Sequence, residues 1–318
     1  MGFAIIGERK EPILATTELN GRLVCIKALS VHNFFFVGSG ANESDTQHLL
    51  LDYGANSEVV SRTFITAALI FEKQFILHGI DLDKARSISL EIAQELIELE
   101  REVARYFQDE AAAIIRAKVS VSNTIPSIPN IETRCKTIFQ KADQVNQRLV
   151  ALSRLFPKFK DLNEQAHFEN LATSFSTAFG EADLLCKFLN ENHQFMQSLR
   201  LIRDGLEHRA ARYKGVRKVT VNNYDSDANS CSLPTIELND KLQKIPATGL
   251  SSLLMTILPK LIAVSEAVIA GLASKHIKSE IPYYQIREIP YLKRRMQYVR
   301  FAMWTDFPIG GEGFYHQK

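Results

Sequence analysis

The 318-residue chain lacks the residue patterns that build metal, redox and serine-nucleophile centres. Its four cysteines, Cys25, Cys135, Cys186 and Cys231, include no Cys-x-x-Cys pair and lie in no secretory context. They read as reduced thiols of a cytoplasmic protein, not as a disulfide framework or a zinc site. No His-Glu-x-x-His string occurs, and His32, His78 and His167 have no zinc-ligand partner at usable spacing. Neither a metal nor a cofactor is expected. Gly-x-Ser-x-Gly is missing, which removes the commonest serine-hydrolase signature. GSGANESD, residues 38–45, has no phosphate-loop lysine and reads as a plain connection. The start, MGFAIIGERK, has too short an apolar run for a signal peptide, and Ile6 breaks the myristoylation pattern. Lys260 and Glu266 interrupt the most membrane-like stretch, residues 249–273. It is expected to be a buried core helix, with no membrane partner.

Net charge is also scarce, at +2, but it is unevenly placed. Residues 1–208 hold 22 Lys and Arg against 27 Asp and Glu, while residues 209–318 hold 16 against 9. Such asymmetry is a footprint of polyanion binding, with a solvated basic tail as the alternative.

What is present is mostly helical periodicity, and a mainly α fold is expected. An N-terminal β-region comes first: ATTELNGRLVCIKAL carries an Asn20-Gly21 turn between β-prone runs, and VHNFFFVG adds a third strand. A helix runs from a Ser57 cap to Gly79, and a longer one from Asp81 or Asp83 to about Lys118. Pro126 and Pro129 then mark a domain boundary. Beyond it a four-helix set is expected at 131–156, 162–179, 182–212 (broken near Asn190) and 248–274 (bent or interrupted at Pro259). A small β-hairpin near 216–238 is inserted before the last helix. The predicted divisions are 1–120, 130–276 and an irregular, basic, aromatic tail at 277–318.

The stretch LIRDGLEHRAARYKG, residues 201–215, carries the chemistry. On a helical wheel Phe195, Met196, Leu199, Ile202 and Leu206 form the core face, with Arg203 on its flank. His208 falls on the opposite side, with Leu201, Asp204 and Gly205. Gly205 costs about 0.5–1 kcal/mol relative to Ala in a helix interior. One use for it is close approach by another element of the chain, or by a second copy of the same helix. The spacing also allows plain surface pairing, Arg203 with Glu207 and Arg200 with Asp204.

Arg203-Asp204-Gly205-Leu206-Glu207-His208 resembles the Arg-x4-His motif of the HEPN superfamily, whose members are small helical bundles. The resemblance covers about residues 130–276, and the family more often has Asn where this chain has Asp204. It implies a metal-independent endoribonuclease of a defence or toxin-like system, with two copies of the motif meeting in a homodimer. His208 would then be acid or base, Arg203 the phosphate clamp and Asp204 the orienter of the imidazole. Arg209, Arg212, Lys214, Arg217 and Lys218 follow as an RNA-binding run. The implied partners are RNA, a second copy and an antitoxin or regulatory protein. Some members bind without catalysis, so a non-catalytic RNA-, nucleotide- or protein-binding module is the alternative. A second basic run, YLKRRMQYVRFAMW at 291–304, adds either a phosphate-binding surface or a solvated face.

Overall fold

The structure is a computed structural model describing residues 11–35, 46–72, 79–119, 126–207, 218–223, 234–277, 284–305 and 314–315. Helix dominates, so the chain is mainly α, with an N-terminal antiparallel sheet and two smaller sheets among the described residues. It divides into two compact units, each assembled from separate stretches: 1–94, 152–160 and 265–318 in the first, 95–151 and 161–264 in the second.

The first unit opens with a meander of β1 (Ala15–Leu19), β2 (Arg22–Ile26), β3 (Val31–Phe35) and β4 (Thr46–Leu51), in that spatial order. Asn20 and Gly21 both have positive φ, 52° and 72°, as the tight β1–β2 hairpin turn requires. β4 has no counterpart in the sequence reading, because its exposed polar start hides the alternation. Just after β4, a Cβ on Gly54 would sit 2.3 Å from the Lys27 carbonyl oxygen. Only glycine lets this loop lie against the β2–β3 turn, where Ala55 N–H donates to Lys27 O and Asn56 N–H to Ala28 O.

Ser57 caps the next helix, accepting from Val60 N–H. After α1 (Glu58–Val60) the helix widens into a π-turn at Ser61–Ile65 and returns to α2 (Thr66–Ile70). The cause lies in its hydroxyls. Thr63 Oγ1 donates to Val59 O, and Thr66 Oγ1 donates to Ser61 O five residues back. Such bonds compete with the α ladder and loosen it. The helix ends at Phe71, short of the expected Gly79, and residues 73–78 lie outside the described residues. Buried Arg86 donates to the Phe71 carbonyl, placing a cation at the helix C-terminus.

Long helices supply the rest. α3 (Leu82–Val119) starts where expected, with Asp81 Oδ1 accepting from Lys84 N–H. α4 (Ile131–Ser153) stops before Pro157, which opens a 3₁₀ turn at Pro157–Phe159. α5 (Phe168–Phe179) begins six residues later than predicted. His167 stands at its N-cap and its N–H donates to Asn170 Oδ1. α6 (Leu184–Glu207) runs unbroken through Asn190. α7 (Leu250–His276) likewise continues through Pro259 without interruption. α7 is the one described helix long and apolar enough to cross a membrane, and 56% of its most apolar window is buried inside the protein.

In the second unit, β5 (Lys218–Asn222) and β6 (Thr235–Asn239) form the expected hairpin, and β7 (Lys244–Gly249) adds a strand the sequence reading missed. Asn223 Oδ1 accepts from Ile128 N–H, tying the proline-rich connection to this sheet. Buried Tyr106 donates to Glu110, which also accepts from Ser251. The tail is not irregular as predicted. β8 (Tyr284–Glu288), β9 (Phe301–Thr305) and β10 (Phe314–Tyr315) form a three-stranded sheet in the first unit. Aromatic and charged residues alternate poorly there, so the period-2 signal is weak.

Candidate functional site

Arg203 and Asp204 lie near the C-terminal end of α6, in the second unit. Met196, Leu199, Ile202 and Leu206 are buried as the wheel predicts, and Phe195 is half-buried beneath the Lys260 ammonium. The opposite face is buried as well. Leu201 is fully enclosed, and Asp204 and Gly205 join it. For these residues the covering partner is the chain itself, one of the two uses foreseen for Gly205. His208, Arg209, Arg212, Lys214 and Arg217 lie outside the described residues; Lys218 is exposed at the start of β5.

The Arg203 guanidinium is enclosed by carboxylates. Nη2 donates to Asp143 Oδ2 of α4 at 2.5 Å, while Nη1 lies 3.2 Å from Glu207 Oε2 and 3.3 Å from Asp204 Oδ1. Burial works against the cation, yet Asp143, Asp204 and Glu207 together hold its pKa above the ordinary arginine value. One turn earlier, Arg200 donates to Glu169 Oε1 at 2.7 Å and lies 3.8 Å from Asp204 Oδ2. Both surface pairings allowed by the spacing are therefore formed. Two guanidiniums stand among four carboxylates, so the cluster carries a net negative charge.

Three residues beside these arginines were not assigned to the site from the sequence: Asp143, His167 and Glu169. They line a small pocket with Asn146, Gln147 and Arg200, of about 10 Å³, room for one water. Asn146 is 5% exposed, and its Oδ1 accepts no hydrogen bond there. Burial opposes the charge on Glu169, but the Arg200 hydrogen bond prevails and its carboxyl sits below the usual range. For His167, burial and then Arg200 depress the pKa, against the pull of Glu169, Asp143 and Asp204. The local signal for this corner was the His167–Asn170 spacing of a helix cap, whereas sequence reasoning considered His167 only as a zinc ligand. Among the described residues no three His, Cys, Asp or Glu groups are placed to hold a metal ion. Cys25, Cys135 and Cys186 are buried free thiols, and burial pushes Cys135 up to about 12.

His167 shares its depressed pKa with His32 and His276, in each case with burial as the main cause. A histidine kept neutral in the fold takes up its proton later than in the unfolded chain. Below the ordinary value of 6.5 the unfolded state binds more protons, so stability falls with pH; above that value the three contribute no slope. Thermal midpoints are expected to hold steady from about pH 7.5 to about pH 6.5 and then drop towards about pH 5.5, with a shallower drop in His167→Gln.

Compared with models of known protein families, with curated proteins and with solved structures, the chain matches none.

Proposed function

We propose that the chain is a HEPN-like helical module that binds RNA without cleaving it. The single observation that carries this reading is the enclosure of Arg203. Its guanidinium donates to or pairs with three carboxylates, so a phosphate could reach it only by displacing Asp143, Glu207 or both. A site meant to gather charge on a pentacoordinate phosphate needs an unengaged cation, and an acidic surround works against that. The HEPN-like bundle is supported by element order: α4, α5, α6 and the first part of α7 fall in one unit, with the small sheet before the last helix. RNA as the ligand is supported by the basic balance of residues 209–318.

The test is one incubation with two readouts. Full-length protein is mixed with total RNA in EDTA, and binding of a labelled RNA oligomer is measured alongside. RNA is expected to stay intact while the oligomer binds, with affinity falling steeply as salt rises and falling again in Arg217→Glu/Lys218→Glu. Cleavage in EDTA that vanishes in His208→Ala would instead support the endoribonuclease, with His208 as acid or base in a two-copy site. Neither binding nor cleavage would remove RNA from both readings.

A further inference from the structure

The connection between β8 and β9 turns its most apolar residue outward. Leu292 is 95% exposed, more than any other large hydrophobic residue described, and its neighbour Tyr291 is 65% exposed. Both sit on a short 3₁₀ turn, Tyr291–Lys293, that follows Pro290. This turn is held in shape. Ile289, Met296 and Val299, which flank it in sequence, are buried, Ile289 N–H donates to Arg300 O, and Lys293 N–H donates to Pro290 O. An apolar side chain presented on an anchored turn differs from one scattered on a surface, which needs no explanation.

Around the tip positive charge prevails. Residues 284–305 contain Arg287, Lys293, Arg294, Arg295 and Arg300 against one carboxylate, Glu288. Glu288 is already shared between Arg294 and Arg300. Lys293 and Arg295 are exposed on either side of Arg294. The guanidiniums of Arg294, Arg287 and Arg300 lie over the rings of Tyr291, Trp304 and Phe301 at 5.5, 5.7 and 5.5 Å. Each of these aromatic residues thus has a cation over its ring, which leaves less of it for a stacking base, and an exposed leucine gains nothing from nucleic acid. A leucine and a tyrosine ringed by cations do match an interface in which apolar chains lie beneath anionic headgroups.

We propose that this tip docks the protein on an anionic lipid surface, with Leu292 and Tyr291 entering the headgroup boundary and Lys293 and Arg295 meeting the lipid charges. No membrane span is needed, but a lipid surface as partner departs from the sequence-based expectation of no membrane partner. The proposal shares these cations with the basic balance that supports the RNA reading, so its test includes an RNA arm.

Flotation of the full chain with phosphatidylserine-containing vesicles and with phosphatidylcholine vesicles tests it. Binding is expected to the first and not the second, to weaken with salt, and to fall about tenfold in Leu292→Ser/Tyr291→Ser. The charge variant Lys293→Glu/Arg295→Glu is expected to fall as far, and both variants should keep the parent's thermal midpoint. Absence of binding to anionic vesicles, or binding that survives Leu292→Ser/Tyr291→Ser, would overturn it. So would loss of RNA-oligomer binding in the charge variant with no vesicle binding in the parent, which would make the run a nucleic-acid surface.

Discussion

Arg203→Ala is expected to lower the free energy of unfolding by about 3 kcal/mol, towards the lower end of what breaking a buried pair costs. The loss comes from what stays behind. Asp143 is 3% exposed and would keep only the Gln147 amide as a partner among the described residues. Asp143→Asn is expected to cost less, because Arg203 would still hold Asp204 and Glu207. Arg203→Lys should fall between them, since an ammonium cannot reproduce the fork that reaches carboxylates on two helices. Urea midpoints at neutral pH order the three variants. Unchanged or raised stability in Arg203→Ala would mark an arginine kept for a ligand instead of for the fold, and the reading of the cluster would reverse.

In the first unit the corresponding change is Glu266→Ala, with an expected cost of about 3–5 kcal/mol. Glu266 is 2% exposed, and its Oε2 accepts from Arg62 Nη2 at 2.6 Å, Arg62 Nε at 2.9 Å and Arg300 Nη1 at 3.1 Å. One carboxylate thus ties the π-turn, α7 and the start of β9 together. Truncation would leave Arg62, only 11% exposed, with Glu58 as its remaining carboxylate among the described residues, itself half-exposed. Burial pushes the Glu266 carboxyl above its usual range despite Arg62 and then Arg300, so the buried charge is itself costly. Glu266→Gln keeps the shape and an acceptor and removes that charge, and it should recover most of the loss. Equal destabilisation by Ala and Gln would show that the charge, not the hydrogen bonding, carries the tie.

Both results turn on contacts that sequence alone does not reveal. Local features were legible. The Asn20-Gly21 turn, the Ser57 cap and the start of α3 near Asp81 each depend on a few adjacent residues whose chemistry has one good solution. So do the Arg200–Asp204 and Arg203–Glu207 pairs, which follow from helix spacing. Asp143 and Glu169 were not legible, because they lie 60 and 31 residues from the arginines they meet and nothing in their neighbours points across that gap. The wheel was right about the core side of α6 and incomplete about its other side. Gly205 pointed to close packing on that face without saying by what, and Asp204 is buried there with two arginines beside it. β4, β7 and β8–β10 were missed for a related reason: short strands of small sheets show little alternation, and their identity is decided by the partner strand.

The division of the chain has a consequence for how such a protein could be rebuilt or exchanged. Of the four breaks between units, those at 94/95, 151/152 and 264/265 fall inside helices α3, α4 and α7, and the one at 160/161 falls just after the 3₁₀ turn. No single splice point in the gene separates one unit from the other, and any truncation that removes one severs the backbone hydrogen-bond ladder of the other. Neither half is a portable cassette, and recombination that swapped one for a homologue's would have to respect four junctions at once.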